Sequence, residues 1–316
     1  SEVDVMNKLF VEASPHIRSS RTTKNIMLDV IIALLPAFAA SIWLFGARSL
    51  YITAICVLSC VLGELAFELI TKRELTIGDL SAVVTGMLLA FNLPVGIPEW
   101  QAVIGSLVAI VVVKQLFGGI GYNFANPALT ARVVMLLSFA ESTVFVSPRG
   151  ADLTSSATPL ALISQQKYDE LPSIFRMLMG QRSGSLGETC AIALIAGFAY
   201  LLCRRVITWH TPVMFVGTVF LLTLFTTGFD ITDAVYQVLG GGLLLGAIFM
   251  ATDYSTTPPT KWGKVIFGVG CGLITFAIRR FGSYPEGVSF AILFMNLLTP
   301  YITKLTARKV FGGAAA

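Results

Sequence analysis

Charge is what this chain has least of. Of its 316 residues only 13% are charged, about half of the roughly 25% that a soluble domain carries, which excludes a globule standing in water. Histidine is nearly missing as well, with only His16 and His210. The five cysteines (Cys56, Cys60, Cys190, Cys203 and Cys271) form no CxxC pair and have no histidine cluster beside them. A zinc or iron–sulfur centre built by this chain alone is therefore excluded, and the cysteines read as small packing groups. The net charge of +4 is spread over short loops, so there is no basic face for a nucleic acid. No glycine-rich dinucleotide fingerprint follows a strand. Residues 1–24 are polar and the first apolar run is too long for a cleavable leader, so none is expected.

What is abundant is apolar sequence, 55% of the chain. A spanning helix needs about 20 such residues, and the chain offers Asn25–Phe45, Ser49–Ile70, Trp100–Phe117, Pro127–Phe139, Glu188–Leu202, Thr211–Phe225, Lys264–Ile278 and Val288–Thr303. Two further pieces are short and interrupted. Leu80–Phe91 ends at Asn92-Leu93-Pro94, and Val235–Met250 ends at Thr252-Asp253 with Pro258-Pro259 beyond. The order repeats: two spans, a short glycine-rich piece with a proline-containing break, then two more. Trp100 and Tyr122 lie 22 residues apart, as do Trp262 and Tyr284, and Gly86-Met87-Leu88-Leu89-Ala90 mirrors Gly242-Leu243-Leu244-Leu245-Gly246.

The expected fold is therefore all-α and polytopic, with about ten transmembrane helices in two five-helix repeats. An odd number per repeat inverts the second, and matching broken helices in inverted repeats point to a binding site near the midplane. The expected division is residues 1–24 as a cytoplasmic segment, 25–139 and 188–305 as the repeats, 140–187 as an extracytoplasmic loop and 306–316 as a tail. Alternate loops hold 14 against 7 lysines and arginines, which places both termini in the cytoplasm of a cell-membrane protein. Among the intramembrane charges, Asp29 and Arg132 lie near helix ends and can snorkel. Glu64, with Glu68 on the same face, suits helix pairing.

Function requires a closer look at the polar loop. It contains Asp152-Leu153-Thr154-Ser155-Ser156-Ala157-Thr158-Pro159. Read from its residues it is a polar turn in which Pro159 biases Thr158 toward extended backbone. The stretch resembles the flavinylation motif Asp-x-x-(Ser/Thr)-(Gly/Ser)-Ala-Thr, with Asp152, Ser155, Ser156, Ala157 and Thr158 on the matching positions. Tyr122-Asn123-Phe124-Ala125-Asn126-Pro127-Ala128, Gly184-Ser185-Leu186-Gly187-Glu188-Thr189, Thr208-Trp209-His210-Thr211-Pro212 and Phe249-Met250-Ala251-Thr252-Asp253 then resemble, in order, blocks of one family. It comprises the D subunit of the Rnf complex and the B subunit of the sodium-pumping NADH:quinone reductase.

The resemblance implies electron transfer between ferredoxin and NAD, coupled to sodium or proton movement. It further implies FMN held as a phosphoester on Thr158, a second, non-covalent riboflavin, the A, B, C, E and G subunits of Rnf as partners in the lipid bilayer, and a flavin transferase for maturation. The chain contributes no complete catalytic site, and the redox chemistry belongs to the flavin. Beyond the motif, Glu188 and Thr189 are expected either to open a helix, where an acid suits the positive dipole end, or to touch the flavin. Asp253 either lines a cavity or only ends its helix. Inverted repeats with broken helices also suit a solute channel or secondary transporter, an alternative that gives the Thr158 motif no purpose.

Overall fold

A computed structural model describes residues 22–148, 157–282 and 286–307, and every regular element among them is a helix. Two long apolar helices come first, α1 (Thr23–Phe45) and α2 (Ala47–Thr71). The Thr22 hydroxyl accepts the Asn25 N–H at 3.3 Å and caps α1, satisfying a donor that no helical carbonyl can reach. Next come α3 (Ser81–Phe91), α4 (Glu99–Leu107, prolonged by the π-helical stretch Val108–Gln115) and α5 (Pro127–Ser138). Pro127 and the Asn126 side chain, which accepts the Leu129 N–H at 3.2 Å, together start α5.

The described part of the polar stretch holds two short α-helices, α6 (Pro159–Ser164) and α7 (Ile174–Met179), and two 3-10 turns, Ala140–Thr143 and Tyr168–Glu170. Apolar sequence resumes with α8 (Ala191–Cys203), α9 (His210–Thr226), α10 (Ile231–Leu239) and α11 (Leu243–Leu245, continued as the π-helical Gly246–Met250). The last two helices are α12 (Lys261–Phe281) and α13 (Val288–Thr306).

Each expected apolar segment carries helix, but not each is a full span. Among the described residues four helices, α1, α2, α12 and α13, are long and apolar enough to cross a membrane, and the bent pair α10–α11, taken as one span, makes a fifth. By contrast α3, with 11 residues, rises only about 16 Å, half of a hydrocarbon core roughly 30 Å thick. The chain is a multi-pass membrane protein. Leu58, Leu62, Ile70 and Phe225 are exposed, an arrangement that lipid satisfies and water does not. All four tryptophans are exposed too. Trp43 and Trp100 sit by the helix ends joined through the Arg48–Glu99 ion pair at 2.6 Å. Trp209 and Trp262 flank the Lys264–Thr208 hydrogen bond at 3.3 Å. Aromatic side chains gather in this way at the two membrane–water interfaces.

Packing follows one scheme twice. Helix α2 lies against α3 and α4, as α9 lies against α10 and α12; α4 packs on α5, as α12 packs on α13. The two sets are joined by α1 against α8 and by α5 against α13. At the first of these crossings Gly197 is indispensable, because a Cβ there would lie 2.4 Å from the Ala33 carbonyl oxygen.

The interrupted helices meet at their C-terminal ends. Asn92, just past the C-terminal end of α3, donates to the Leu88 carbonyl at 2.7 Å and reaches the Met250 sulfur at the end of α11. The freed carbonyls of Phe91 and Leu93 accept from Gly187 and Leu186 at 3.0 Å each, so the broken end leaves neither of them unpaired. One expectation needs correcting here. Val235–Met250 is not a single piece, because Gly240-Gly241-Gly242 bends it by 65° between α10 and α11. Gly241, at φ 61°, takes a left-handed conformation that side chains disfavour.

Candidate functional site

Thr158 initiates α6. Its backbone is extended (φ −70°, ψ 154°), as the following proline requires, and its hydroxyl accepts the Ala161 N–H at 3.3 Å. Leu160, on the same helix, is buried and seats on the unwound Gly240-Gly241, where any Cβ would come within 3 Å of it. Ser183 donates to the Ala157 carbonyl at 3.2 Å and ties the segment down from the other side. Once docked, Thr158 is only 6% exposed. Beside it lies a groove with about 1480 Å³ of atom-free space, part of it open to solvent, bordered by Ala157, Pro159, Arg176, Arg182 and Ser183. Asp152, Ser155 and Ser156 lie outside the described residues.

Glu188 and Thr189 are close by but do not start a helix; α8 begins at Ala191. The Glu188 carboxylate instead accepts the Ser185 N–H at 3.0 Å and closes the preceding turn. The carbonyls of Glu188 and Thr189 accept from the Arg182 guanidinium at 2.6 and 3.2 Å. The missing side chain of Gly187 makes this turn possible, since a Cβ would fall 2.3 Å from Phe91.

Behind this turn is a group of charges that sequence reasoning did not assemble. Arg132, Arg182 and Arg279 each feel the charges of Glu188 and Glu286. Arg132 does not snorkel; it is buried and lies 3.9 Å from Glu286. Burial, together with the Glu188 carboxylate, pushes the Glu286 carboxyl up to about 7 against the pull of the three guanidiniums. Burial likewise lowers the Arg182 guanidinium.

The second site belongs to the interrupted helices. A cavity with about 780 Å³ of atom-free space is lined by Thr85, Lys114, Asn123, Asn126, Phe249 and Asp253, among others. Asp253 thus faces a cavity, although its carboxylate also accepts from the Ser255 and Thr256 hydroxyls at 3.0 and 3.2 Å. Asn92 does not line it. The two π-helical stretches end here, one presenting Lys114 and the other Phe249, and such stretches gather at functional sites.

Lys114 is not the loop charge that counting charges implied. It is 3% exposed and donates to Glu64 at 2.6 Å and to Ser81 at 2.5 Å, while Gln115 donates to the same Glu64 oxygen at 2.6 Å. Glu64 pairs between helices as expected. Its other oxygen has no hydrogen-bond partner. Asp29, in the second turn of α1, is held by Tyr200 at 3.0 Å and Arg204 at 3.1 Å.

Thr158 and Asp253 do not share a site. Glu188 and Thr189 precede α8, whereas Leu201 in its last turn lines the Asp253 cavity, a separation of roughly 20 Å along 13 residues of helix.

With this geometry in view, the chain can be compared with known proteins. Residues 10–312 match the family described as NQR2, RnfD, RnfE. The D subunit of the Na(+)-translocating ferredoxin:NAD(+) oxidoreductase complex of Acetobacterium woodii is 43% identical over 96% of this chain and 95% of its own length. The D subunit of the proton-translocating ferredoxin:NAD(+) oxidoreductase complex of Clostridium ljungdahlii is 38% identical over 99% of both chains. The D subunit of the ion-translocating oxidoreductase complex of Halorhodospira halophila is 35% identical over 95% of this chain and 94% of its own length.

Proposed function

This chain belongs to the NQR2, RnfD, RnfE family, and on that footing we propose that it is the D-type membrane subunit of an ion-translocating ferredoxin:NAD oxidoreductase. It carries FMN as a phosphoester on Thr158 and relays electrons within the complex. The observation that carries the reading is the placement of Thr158, the last residue of the flavinylation-like motif, beside a groove with two arginines on its wall. The residues suit the group. A flavin mononucleotide needs space next to its attachment point, cations for its phosphate and a wall for its ring, and Arg176, Arg182 and Leu162 border this groove. The flavin, when bound, supplies one- and two-electron chemistry; the chain positions it and sets its electrostatic surroundings.

Attachment exchanges the Thr158 O–H bond for an O–P bond. The proton is lost to solvent, and the pyrophosphate bond of a flavin dinucleotide donor breaks toward the departing nucleotide. Because Thr158 is nearly buried once α6 is seated, the transferase acts before α6 docks. Riboflavin belongs in the second cavity, where Asn123 and Asn126 offer amide donors and acceptors and Phe249 and Leu88 an apolar wall. The chain is arranged as two inverted repeats with both termini in the cytoplasm, and the other subunits of the complex are its partners.

The test is direct. Co-expressed with a flavin transferase, the chain should run as a fluorescent band on a denaturing gel and gain the mass of one FMN residue. Thr158→Ala should abolish both. A band that survives this substitution overturns the attachment site, and a wild-type chain without the added mass overturns the flavoprotein reading.

A further inference from the structure

We infer that the arginine cluster at the Thr158 end is a seat for an anionic phosphoryl group, with Arg182 as its direct partner. The inference rests on the FMN reading of Thr158 and adds to it the residues that receive the phosphate.

Among the described residues the charges do not balance. Three guanidiniums (Arg132, Arg182 and Arg279) face two carboxylates (Glu188 and Glu286), which leaves one positive charge in excess when both acids are ionised. Nor do the carboxylates use up the guanidinium donors. Arg182 directs Nε and Nη2 to the Thr189 and Glu188 carbonyls, Arg132 directs Nη1 to the Ser142 carbonyl, and Arg279 directs Nη1 and Nη2 to Gln237 and Gly240. What remains buried without a hydrogen-bond partner is Arg182 Nη1, Arg132 Nη2 and Arg279 Nε. On the acceptor side of the cluster only Glu286 Oε1 is left without a hydrogen-bond partner among the described residues, and Arg132 Nη2 already lies 3.9 Å from Glu286 Oε2. Unmade hydrogen bonds of buried cations are costly, and three open donors against one open acceptor call for an anion.

Of the three arginines, Arg182 borders the groove that also holds both chain neighbours of Thr158, and Arg176 stands on the same wall. The acids on that wall, Asp169 and Glu170, are exposed to solvent, and Glu170 lies 3.9 Å from Lys167. They weaken the seat little. A phosphodiester on Thr158 enters the groove that Arg182 and Arg176 border, and a guanidinium fork matches phosphate oxygens in shape and charge.

The full chain, loaded with flavin by co-expression and held in dodecyl maltoside, provides the test, with Thr158→Ala as the blank for any non-covalent flavin. Arg182→Gln should keep the covalent flavin but lower the seated fraction about tenfold, the equivalent of about 1.4 kcal/mol and the loss expected for one charge-assisted hydrogen bond. The readouts are lower fluorescence anisotropy and readier quenching by iodide. Arg182→Lys, which keeps the charge, should restore part of the loss, as a purely structural role would not. Because Arg182 also braces the turn at Glu188, Arg176→Gln serves as the second variant and should show the same changes in smaller measure. Unchanged anisotropy and quenching in Arg176→Gln and in a folded Arg182→Gln overturn the seat. A wild-type chain without covalent flavin overturns the FMN reading alone. The seat is then read with inorganic phosphate, which should raise the melting temperature of the wild type and not of Arg182→Gln; no rise in the wild type overturns it.

Discussion

Removing the charge of Glu64 alone should cost the fold more than removing it together with Lys114. The two side chains are 0% and 3% exposed, meet at 2.6 Å, and tie α2 to the π-helical end of α4. Glu64→Gln leaves a buried ammonium with neutral partners, the new amide and the Ser81 hydroxyl, in place of a carboxylate, and stripping the charge of one member from a buried pair costs roughly 3–5 kcal/mol. At roughly 2 °C per kcal/mol for a chain of this length, the melting temperature in detergent should fall by roughly 6–10 °C. Lys114→Met strands the carboxylate and should cost about as much, tempered by the Gln115 amide at 2.6 Å. The double variant Glu64→Gln/Lys114→Met buries no net charge. It should recover most of the loss, because an exchanged pair is often neutral. The assay is a thermal double-mutant cycle, and the expected coupling is about 5 kcal/mol, two single losses of roughly 3 less a residual of roughly 1 in the double variant. If the two losses simply add in the double variant, Glu64 and Lys114 do not compensate each other, and the account of the pair is wrong.

Three further outcomes follow from single positions. Gly197→Ala should destabilise by roughly 1–3 kcal/mol, because its Cβ meets the Ala33 carbonyl at 2.4 Å and Phe249 at 2.9 Å; Gly217→Ala, with nothing within 4 Å, should be neutral or stabilising, and equal melting temperatures for the two would contradict the crossing. Glu286, raised from 4.5 to about 7, binds its proton more tightly folded than unfolded, so its contribution to stability should decline as pH rises from 4.5 to 7, by at most roughly 3 kcal/mol, and Glu286→Gln should flatten that part of the melting-temperature profile. Asp29→Asn should cost less than about 1 kcal/mol, since its partner Arg204 is 55% exposed; a larger loss would mean that the α1–α8 junction depends on this pair.

The long helices were legible because a run of some 20 apolar residues has few other uses. The expected Asn25–Phe45 and Val288–Thr303 became Thr23–Phe45 and Val288–Thr306, since capping and fraying decide the ends and hydropathy does not. The break at Gly240-Gly241-Gly242 escaped notice because glycine in an apolar helix serves close packing as readily as unwinding. Only Leu160 pressed against those residues, more than seventy positions earlier in the chain, decides between the two. Glu188 misled for a related reason: an acid ahead of an apolar run resembles a helix start, whereas here Ser185 captures its carboxylate.

The charge cluster shows where reading along the chain must stop. Arg182 and Arg279 look like ordinary basic residues of outer loops, and counting them so is sound for topology, while Arg132 looks like a charge inside a span that can snorkel. Their shared burial exists only because α5 packs on α13 and the turn before α8 folds over α3, and no local spacing encodes those contacts. Thr158 was found by the opposite route, since a contiguous motif survives without any tertiary information. A motif can therefore single out a candidate for modification, while the groove and the guanidiniums beside it emerge only once the helices are packed.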